Sequence, residues 1–379
     1  MKNKIKVINF KDEHDKQALE LFYRHVFYKR KEFEYARYPS WIHRYSLEEN
    51  SIKRLAVDDG KIVGSLGLIP YNGYINGRKT KIGFFVDNCV LPERNWQYDE
   101  IFLKLFKSVE KTAKKTGIEI LAGWDYTRNM EAHKELFKKM GYSRIDGINW
   151  FGGGTKHVHL LPNEEFKLHF FWRIAFKLLF IKHRIFEFFF KPLKNEKIRE
   201  MKNSDLPEVV KLINAENEKL DFSKKYTLIT LKEMIEKYNA QSLVAETKGK
   251  ITGALLTFVA PWSGWMYGKP FYTKTHALFL IKHPLEFAVN SENAEKTAAH
   301  LLFYAMNDEK KGKYLFFVDV FDRRISWMRK AYLDTGAEEL PYDYGTLFFK
   351  NLSGKKILLN KPVYIPTNLV INPYTAKDY

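Results

Sequence analysis

The sequence predicts an α/β (α+β) fold with two similar units in tandem, and three observations indicate this. The 379 residues are enough for two domains. Hydrophobic residues make up 45% of the chain and aromatic residues 16%, which is ample material for buried cores. The segment AVDDGKIVGSLGLI at 56–69 is repeated as AETKGKITGALLTF at 245–258, with Ala, Gly, Lys, Ile and Gly at matching positions.

Each repeated segment predicts a β-hairpin, because a short strand, a tight turn with glycine and a longer strand follow one another. The elements around the two hairpins also repeat. In the first unit we expect a strand at Ile5–Ile8, a helix at Gln17–Tyr28, a strand at Ile82–Val90, a helix capped by Asp99 and ended by Gly117, a strand at Glu119–Trp124, a helix at Met130–Met140 and a strand at Tyr142–Phe151.

The second unit is expected to follow the same order. Its predicted elements are a strand near Ile198, a helix at Leu206–Glu218 capped by Ser204, a helix at Leu231–Tyr238, a strand at Thr275–Lys282, a helix at Ala294–Asn307, a strand at Tyr314–Phe321, a helix at Ile325–Asp334 and a strand at Gly345–Lys350. We therefore divide the chain into a first unit at 1–155, a linker helix at 156–196, a second unit at 197–352 and an extended tail at 353–379.

The segment FFVDNCVLPERNWQYDEIF at 84–102 resembles part of a known family. Its strand exit, Val90-Leu91-Pro92-Glu93, resembles the V-x-P-E of the GNAT superfamily of N-acyltransferases. The resemblance covers most of 1–151 and, more weakly, 197–350, and it implies two tandem GNAT-like domains. In this family the fourth strand splays from the fifth, so its free backbone groups bind the pantetheine arm of acyl-CoA. The next helix N-terminus receives the pyrophosphate.

The resemblance implies that acetyl-CoA or another acyl-CoA is the co-substrate. The residues that it assigns to this ligand are Cys89, Val90, Leu91, Asn95, Trp96, Gln97, Tyr98, Asp99 and Asn129. The family's phosphate loop, R-G-x-G-x-G/A, reads RNWQYD at 94–99 in this chain, so every glycine is replaced. Glycine allows positive φ and close backbone approach to phosphate, so the alternative is a loop that no longer binds the donor.

The pattern N-x-x-A…G-Y, which begins at Asn129, resembles a later signature of the same family. There the general acid is a tyrosine four residues before the glycine. The matching residue is Phe137 in the first unit and Tyr332 in the second. A phenol held by a hydrogen-bond partner can protonate a leaving thiolate, so Tyr332 is a candidate acid. The alternative is a half-buried packing residue.

Asp87 is the candidate general base, since a carboxylate on the splayed strand often has this role in the family. It lies in an otherwise apolar stretch, where burial would raise the pKa of an unpaired carboxyl. A paired or exposed Asp87 is the alternative. Asp319 and Asp322 occupy the matching strand end of the second unit and are weaker candidates. Cys89 is interpreted as a buried apolar residue, and the 11 histidines lack metal-ligand spacing, so no metal is expected.

The net charge of +18 favours acidic partners: CoA phosphates, nucleic acid or anionic lipid headgroups. The alternative is a low-GC genome that overuses lysine, since the lysines are spread along the chain. The single cysteine fits a reducing cytoplasm, and no signal peptide or run of 18 apolar residues is present. We therefore expect a cytoplasmic protein, with no DNA partner.

An aromatic and basic segment, FKLHFFWRIAFKLLFIKHRIFEFFFK at 166–191, predicts a helix that must bury most of its circumference. One interpretation is a linker helix packed between the units. The other is an interfacial helix, whose aromatic residues enter the lipid boundary while Arg and Lys meet anionic headgroups, as a peripheral contact at the inner membrane face.

Three functions remain open from the sequence. The first is an N-acyltransferase that moves an acetyl or other acyl group from acyl-CoA to a small-molecule amine. The first unit resembles GNAT proteins that accompany cell-surface polysaccharide synthesis, which implies an amino sugar or cell-envelope precursor. The second is an aminoacyl-tRNA-dependent ligase of the tandem-GNAT cell-wall type, which needs no CoA loop and suits the positive charge. The third is a non-catalytic binding module.

Overall fold

The computed structural model describes residues 5–29, 50–155, 170–268, 273–307, 316–339, 345–365 and 367–370. Within these ranges the strands form one continuous, mostly antiparallel sheet of fourteen strands, with helices packed against it. This confirms the predicted mixed α/β fold.

The first half of the chain contributes six strands and four helices to the described structure. The strands are β1 (Lys6–Asn9), β2 (Ile52–Asp58), β3 (Lys61–Ile75), β4 (Arg78–Val90), β5 (Ile120–Tyr126) and β6 (Ser143–Gly154), and the helices are α1 (Asp15–Lys29), α2 (Tyr98–Lys115), α3 (Thr127–Ala132) and α4 (Lys134–Lys139). Helix α5 (Phe170–Phe189) connects this half to the second half.

The second half contributes eight strands and five helices in the described ranges. The strands are β7 (Glu196–Glu200), β8 (Phe222–Lys224), β9 (Gln241–Thr247), β10 (Lys250–Gly268), β11 (Thr273–Val289), β12 (Phe316–Asp322), β13 (Glu338–Glu339) and β14 (Gly345–Asn351), and the helices are α6 (Leu206–Glu218), α7 (Leu228–Lys237), α8 (Ala294–Asn307), α9 (Ser326–Asp334) and α10 (Thr367–Val370).

The two repeated segments form the hairpins that the sequence predicts. In the first, Asp59 and Gly60 have φ of 48° and 73°; in the second, Lys248 and Gly249 have φ of 52° and 77°. Positive φ at both central residues is the mark of a type I′ turn, whose twist matches that of the flanking strands. The turns therefore join β2 to β3 and β9 to β10 in the same way.

The two halves exchange their last strands. The sheet order is β1-β2-β3-β4-β5-β14-β6-β12-β11-β10-β9-β7, so β14 of the second half lies against β5, and β6 of the first half lies against β12. Each exchanged strand pairs over five or more residues with the other half. The exchange completes both halves with backbone hydrogen bonds and leaves no strand edge between them.

Several local predictions are wrong. Asp99 does not cap α2: the helix begins at Tyr98 with Gln97 at the N-cap, because a 3-10 turn leads directly into it. Ser204 does not cap α6, where Asp205 holds the N-cap position. The helix expected at Met130–Met140 is interrupted at His133, which has φ −116° and ψ 18°, so α3 and α4 are separate. The strand expected at Thr275–Lys282 runs on to Val289 as β11.

Helix α2 is held on the sheet by a cluster of stacked and edge-to-face aromatic rings. The cluster consists of Phe85, Phe102, Phe106, Phe137, Tyr142 and Phe348. Phe348 belongs to the exchanged strand β14, so both halves build this core. Aromatic burial of this kind is the largest packing contribution per residue, and here it sets the position of the α2 N-terminus.

Helix α5 has one packed face and one exposed apolar face. On the packed side, His183 is 3% exposed and its Nε2 lies 2.9 Å from Oδ1 of Asn307. The exposed apolar side chains are Ile174, Leu178, Ile181, Ile185, Phe188 and Phe189. The expectation that this helix is packed against the protein therefore holds for one face of α5 only. None of the described helices has the length and hydropathy needed to cross a bilayer.

Candidate functional site

Strands β4 and β5 separate in the middle of the sheet. Their parallel ladder joins Ile82–Phe85 to Ile120–Gly123 and ends there, although both strands continue. Beyond this point the described part of β4 pairs only with β3, and β5 pairs with β14. Backbone groups of β4 that face β5 are therefore not used by the ladder after Phe85. The predicted splay is confirmed, and it begins at Val86.

A bulge in β4 lies at the start of this split. The β3–β4 register shifts between Ser65 and Gly67, which are opposite Cys89 and Val86. Asp87 lies in the bulge with φ of 59°, an unusual conformation for a residue other than glycine. The buried Ser65 hydroxyl donates to the Asp87 carbonyl oxygen at 2.9 Å and holds the bulge. The Asp87 side chain is 9% exposed.

The Tyr98 side chain extends from the start of α2 into the split. Its hydroxyl oxygen accepts a hydrogen bond from Nδ2 of Asn88 at 3.4 Å, and its ring stacks on His133 with centroids 4.2 Å apart. Burial, followed by the negative charge of Asp125 on β5, raises the pKa of Tyr98 above its usual value. Tyr98 therefore stays protonated, next to Asn88 on one diverging strand and Asp125 on the other.

The loop between β4 and α2 differs from a glycine-rich phosphate loop. Pro92–Gln97 form a 3-10 turn in which no residue has positive φ. The Arg94 guanidinium pairs with the buried Asp58 carboxylate at 2.9 Å, and Trp96 is 76% exposed. The Gln97 side chain at the N-cap makes no capping hydrogen bond to α2, and the 3-10 turn leads directly into the helix.

The second half contains a split of the same kind. Among the described residues, the ladder between β11 and β12 joins Ile281 and Lys282 to Phe316 and Phe317 and ends there, although β11 runs on to Val289. The β10–β11 register also shifts near this point. Strands β4 and β11 therefore each combine a bulge with an early end of the parallel ladder.

Comparison with known proteins decides the fold. No protein-family model and no curated protein sequence matches the chain. Among solved structures, N-myristoyltransferase of Saccharomyces cerevisiae with bound myristoyl-CoA superimposes with a TM-score of 0.58 at 12% identity, over 93% of this chain and 80% of that one. A GCN5-related N-acetyltransferase from Anabaena variabilis and a probable N-acyltransferase from Enterococcus faecalis each give 0.51 and 11%, over 91% of this chain and 72% of theirs.

The chain has the GNAT fold. The separated fourth and fifth strands, described above from the backbone pairing, are the feature that the sequence resemblance led us to expect. In this GNAT fold, Val90 and Cys89 are buried at the end of β4, and the Leu91 N–H donates to the Val63 carbonyl at 2.8 Å. Side chains of Asn95 and Asn129 lie outside the described residues.

Tyr332 does not lie near Asp87. It is completely buried in the core of the second half, and its hydroxyl donates to Oδ2 of Asp319 at 2.8 Å. Burial, and then the Asp319 carboxyl, raises the pKa of Tyr332 well above its usual value. This geometry favours the packing interpretation. Phe137, at the matching position of the first half, is also a core residue.

The C-terminal segment fills the split of the second half. Residues 363–365 are at most 1% exposed, and the Val363 N–H donates to Oδ2 of Asp322 at 3.0 Å. The Thr367 hydroxyl donates to Oδ1 of Asp319 at 2.8 Å, and α10 contacts β11. This segment therefore touches both diverging strands. In the first half, the side chain of Tyr98 lies at the corresponding place instead.

The sequence analysis missed the buried polar residues of β11. Burial raises the pKa of Glu286 to about 7, although the nearby Tyr226 hydroxyl opposes this, and burial lowers the pKa of His283 to about 3. The Lys282 ammonium donates to the Ala305 carbonyl at 3.0 Å. Polar residues in the otherwise apolar stretch LFLIKHPLEFAV were the available signal. No group of three or more metal-ligating side chains occurs among the described residues.

Proposed function

We propose that this protein is an N-acyltransferase that binds acyl-CoA in the split between β4 and β5 and transfers the acyl group to an amine. The end of the ladder at Phe85–Gly123 carries this proposal, because it leaves β4 amide and carbonyl groups to pair with an extended ligand. Solved N-acyltransferases with the same fold support it, and one of them holds myristoyl-CoA. Acetyl-CoA is the donor that the sequence resemblance favours.

The residues around the split suit the two proton transfers of the reaction. The amine nitrogen attacks the thioester carbon, the C–N bond forms, and the C–S bond breaks. Nitrogen must lose one proton and the CoA sulfur must gain one. We assign the first proton to Asp87 in the bulge and the second to Tyr98, whose raised pKa keeps it a donor. Both groups then exchange protons with water.

The N-terminus of α2, where the N-cap side chain makes no capping hydrogen bond, is the proposed contact for the CoA pyrophosphate. The predicted ligand residues from Asn95 to Asp99 surround this turn, and Asn129 follows β5 on its other side. Asp99 and Glu100 place two negative charges in the same first turn. Binding there should therefore be weaker than at a glycine-rich loop of the family, and it should weaken further at high ionic strength.

Those two carboxylates also favour a second candidate, the aminoacyl-tRNA-dependent ligase, which needs no pyrophosphate contact. A non-catalytic binding module is the third candidate.

Ligand-induced stabilisation separates these candidates: a ligand at 100 times its dissociation constant raises the free energy of unfolding by about 2.7 kcal/mol. We expect CoA, acetyl-CoA and myristoyl-CoA to raise the melting temperature to different extents. No stabilisation by any of them at millimolar concentration would contradict the acyl-CoA proposal.

The place of binding can be tested separately, because Trp96 lies exposed beside the proposed pyrophosphate contact. Donor binding should change the tryptophan fluorescence of the wild type, and the Trp96→Phe variant should lose part of this change while it keeps its affinity for the donor.

We propose that the acceptor amine is an amino sugar or a cell-envelope precursor. Incubation of the enzyme and donor with a panel of amines, followed by measurement of the free CoA thiol released, identifies it.

The exposed apolar face of α5 supports a peripheral contact with an anionic membrane. Six large apolar side chains lie on this face, and residues 170–191 hold five lysines and arginines against a single glutamate. Such a helix lies along the lipid boundary with its cations toward anionic headgroups. We propose that this surface brings the enzyme to an acceptor at the membrane.

A further inference from the structure

The bulge of β4 reverses the order in which side chains alternate between the two faces of the sheet, and Asn88 lies at this reversal. Side chains of a regular strand point to opposite faces in turn. Before the bulge, Val86 packs in one core cluster and Phe85 in the cluster beneath α2; after it, Cys89 packs with Val86 and Val90 with Phe85. In a strand without the bulge, Asn88 would share the face of Val86. The bulge therefore moves the Asn88 side chain to the face that carries α2.

On this face Asn88 meets Tyr98, the first residue of α2. Nδ2 of Asn88 donates to the Tyr98 hydroxyl oxygen at 3.4 Å. The Tyr98 ring also stacks on His133, with the ring planes 15° apart. A phenol oxygen can accept a hydrogen bond and still donate its own hydrogen. Because Asn88 is the donor in this contact, the phenol hydrogen is left for another acceptor, and the stacking fixes the plane of the ring.

The same contact makes Tyr98 a stronger acid. Burial, and next the Asp125 carboxylate, raises the pKa of Tyr98, and the hydrogen bond from Asn88 opposes both effects. When the phenol gives up its proton, Asn88 donates to a negatively charged oxygen, and such charge-assisted hydrogen bonds are stronger than neutral ones. An interaction that strengthens as the reaction proceeds lowers its barrier.

The second half has different residues at these two positions. Asn88 and Phe287 each lie two residues before the end of their strands, β4 and β11, whose last residues face the equivalent glycines of the two hairpins. Phe287 packs edge to face on Trp327, with centroids 5.2 Å apart. Helix α8 begins with Ala294, as α2 begins with Tyr98. Apolar residues therefore satisfy the packing of this fold at both positions, and packing alone does not explain an amide and a phenol in the first half.

We propose that Asn88 is a positioning residue for acyl transfer, which holds the Tyr98 oxygen so that the phenol hydrogen is directed at the sulfur of the bound thioester. This inference rests on the proposed function, because Asn88 acts through the proton that Tyr98 gives to the CoA sulfur. The bulge then has two roles on adjacent residues. It presents Asp87 as the base and Asn88 as the support of the acid, and the Ser65 hydroxyl holds it in place.

The test is a double-mutant cycle on the full-length protein, measured by thiol release from acetyl-CoA with glucosamine as the probe amine. Asn88→Leu removes the donor at nearly constant side-chain volume. It should lower kcat about tenfold, while the dissociation constant of acetyl-CoA, measured by calorimetry, changes by less than about threefold. In the Tyr98→Phe background the same substitution should lower kcat by less than about twofold, because no phenol is left to position.

Asn88→Asp keeps the size of the side chain and replaces the donor with a carboxylate. The carboxylate accepts the phenol hydrogen and turns it away from the thioester, so kcat should fall at least as far as in Asn88→Leu. The matched control is Asn290→Leu, at an exposed asparagine directly after β11, and its kcat should equal that of the wild type. Melting temperatures verify that each variant is folded, and Asn88→Asp carries the test if the leucine variant is not.

Equal losses from Asn88→Leu with Tyr98 intact and in the Tyr98→Phe variant would overturn the proposal, because Asn88 would then act without the phenol. Wild-type turnover of Asn88→Asp would also overturn it, since the phenol would then be the donor in this contact. Either result leaves acyl transfer itself standing. No thiol release by the wild type with glucosamine or any other amine would instead overturn the proposed function, and the role of Asn88 with it.

Discussion

The Tyr332 hydroxyl donates a hydrogen bond to Oδ2 of Asp319 at 2.8 Å inside the core of the second half, and both residues are completely buried. The Thr367 hydroxyl completes the arrangement from the C-terminal segment. Three distant parts of the chain therefore meet at one carboxyl group. Tyr332 occupies the position of the family's general acid, and this contact makes it part of the core.

Tyr332→Phe should lower the free energy of unfolding by about 1–3 kcal/mol, because Asp319 loses one of its buried donors. Turnover per folded molecule should stay within threefold of the wild type. Urea unfolding gives the first quantity and thiol release the second. Retained stability with a tenfold loss of turnover would instead make Tyr332 a catalytic residue.

The pH dependence of stability should reflect the two buried carboxyls. Burial raises the pKa of Asp319 from 3.8 to about 6 and that of Glu286 from 4.5 to about 7. In this window the folded state keeps protons that the unfolded state releases, so their contribution to stability is full below pH 4 and is lost as pH rises to 7.

The Asp319→Asn variant isolates one of these contributions. Its free energy of unfolding should fall less steeply between pH 4 and pH 6 than that of the wild type, by about 1.4 kcal/mol for each unit of pKa shift removed. Asp334→Asn, at an exposed position of α9, is the control and should keep the wild-type slope. Identical slopes for both variants would show that Asp319 is not held protonated.

Tyr98→Phe should lower turnover by at least about tenfold, because the proposed proton donor to the CoA sulfur is removed. Donor affinity should change by less than threefold, since the ring can still stack on His133. Tyr304→Phe removes a hydroxyl from a side chain that is 41% exposed, and it serves as the control. Turnover of Tyr98→Phe equal to that of Tyr304→Phe would remove this residue from the mechanism.

Asp87→Asn should lower turnover at neutral pH at least about a hundredfold if this carboxylate is the base. Asparagine adopts positive φ as readily as aspartate, so the bulge and the fold should persist. An unchanged melting temperature verifies this. The loss should shrink at higher pH, where the amine arrives already deprotonated. A drop of less than threefold at neutral pH contradicts the assignment.

Replacing Leu178 and Ile185 of α5 with glutamine should reduce binding to vesicles that contain anionic lipid, because these side chains are 61% and 51% exposed. Co-flotation with vesicles measures the effect. The matched control is Ile229→Gln, since Ile229 is 70% exposed on another helix. Wild-type protein that floats with neither anionic nor neutral vesicles would rule out the membrane contact.

Much of the fold was predictable because its signals are local. The hairpins at 56–69 and 245–258 follow from turn residues with positive φ, and helix α8 has the predicted bounds because its apolar period is regular. The splay of β4 was predicted from the family resemblance. The prediction that Asp99 caps α2 is wrong, because a 3-10 turn leads into the helix and the helix begins at Tyr98. Nothing in the residue composition indicates this turn.

The sequence by itself determined the repeated order of elements, the hairpins and the strand that carries the split, since each depends on residues close together along the chain. Only the tertiary structure decided which part of the chain lies in each split. That depends on the exchange of β6 and β14, on the path of residues 363–370 into the second half, and on the placement of Tyr98 between the diverging strands. These are contacts between residues far apart in the chain, and their free energy comes from packing and burial that no local pattern encodes.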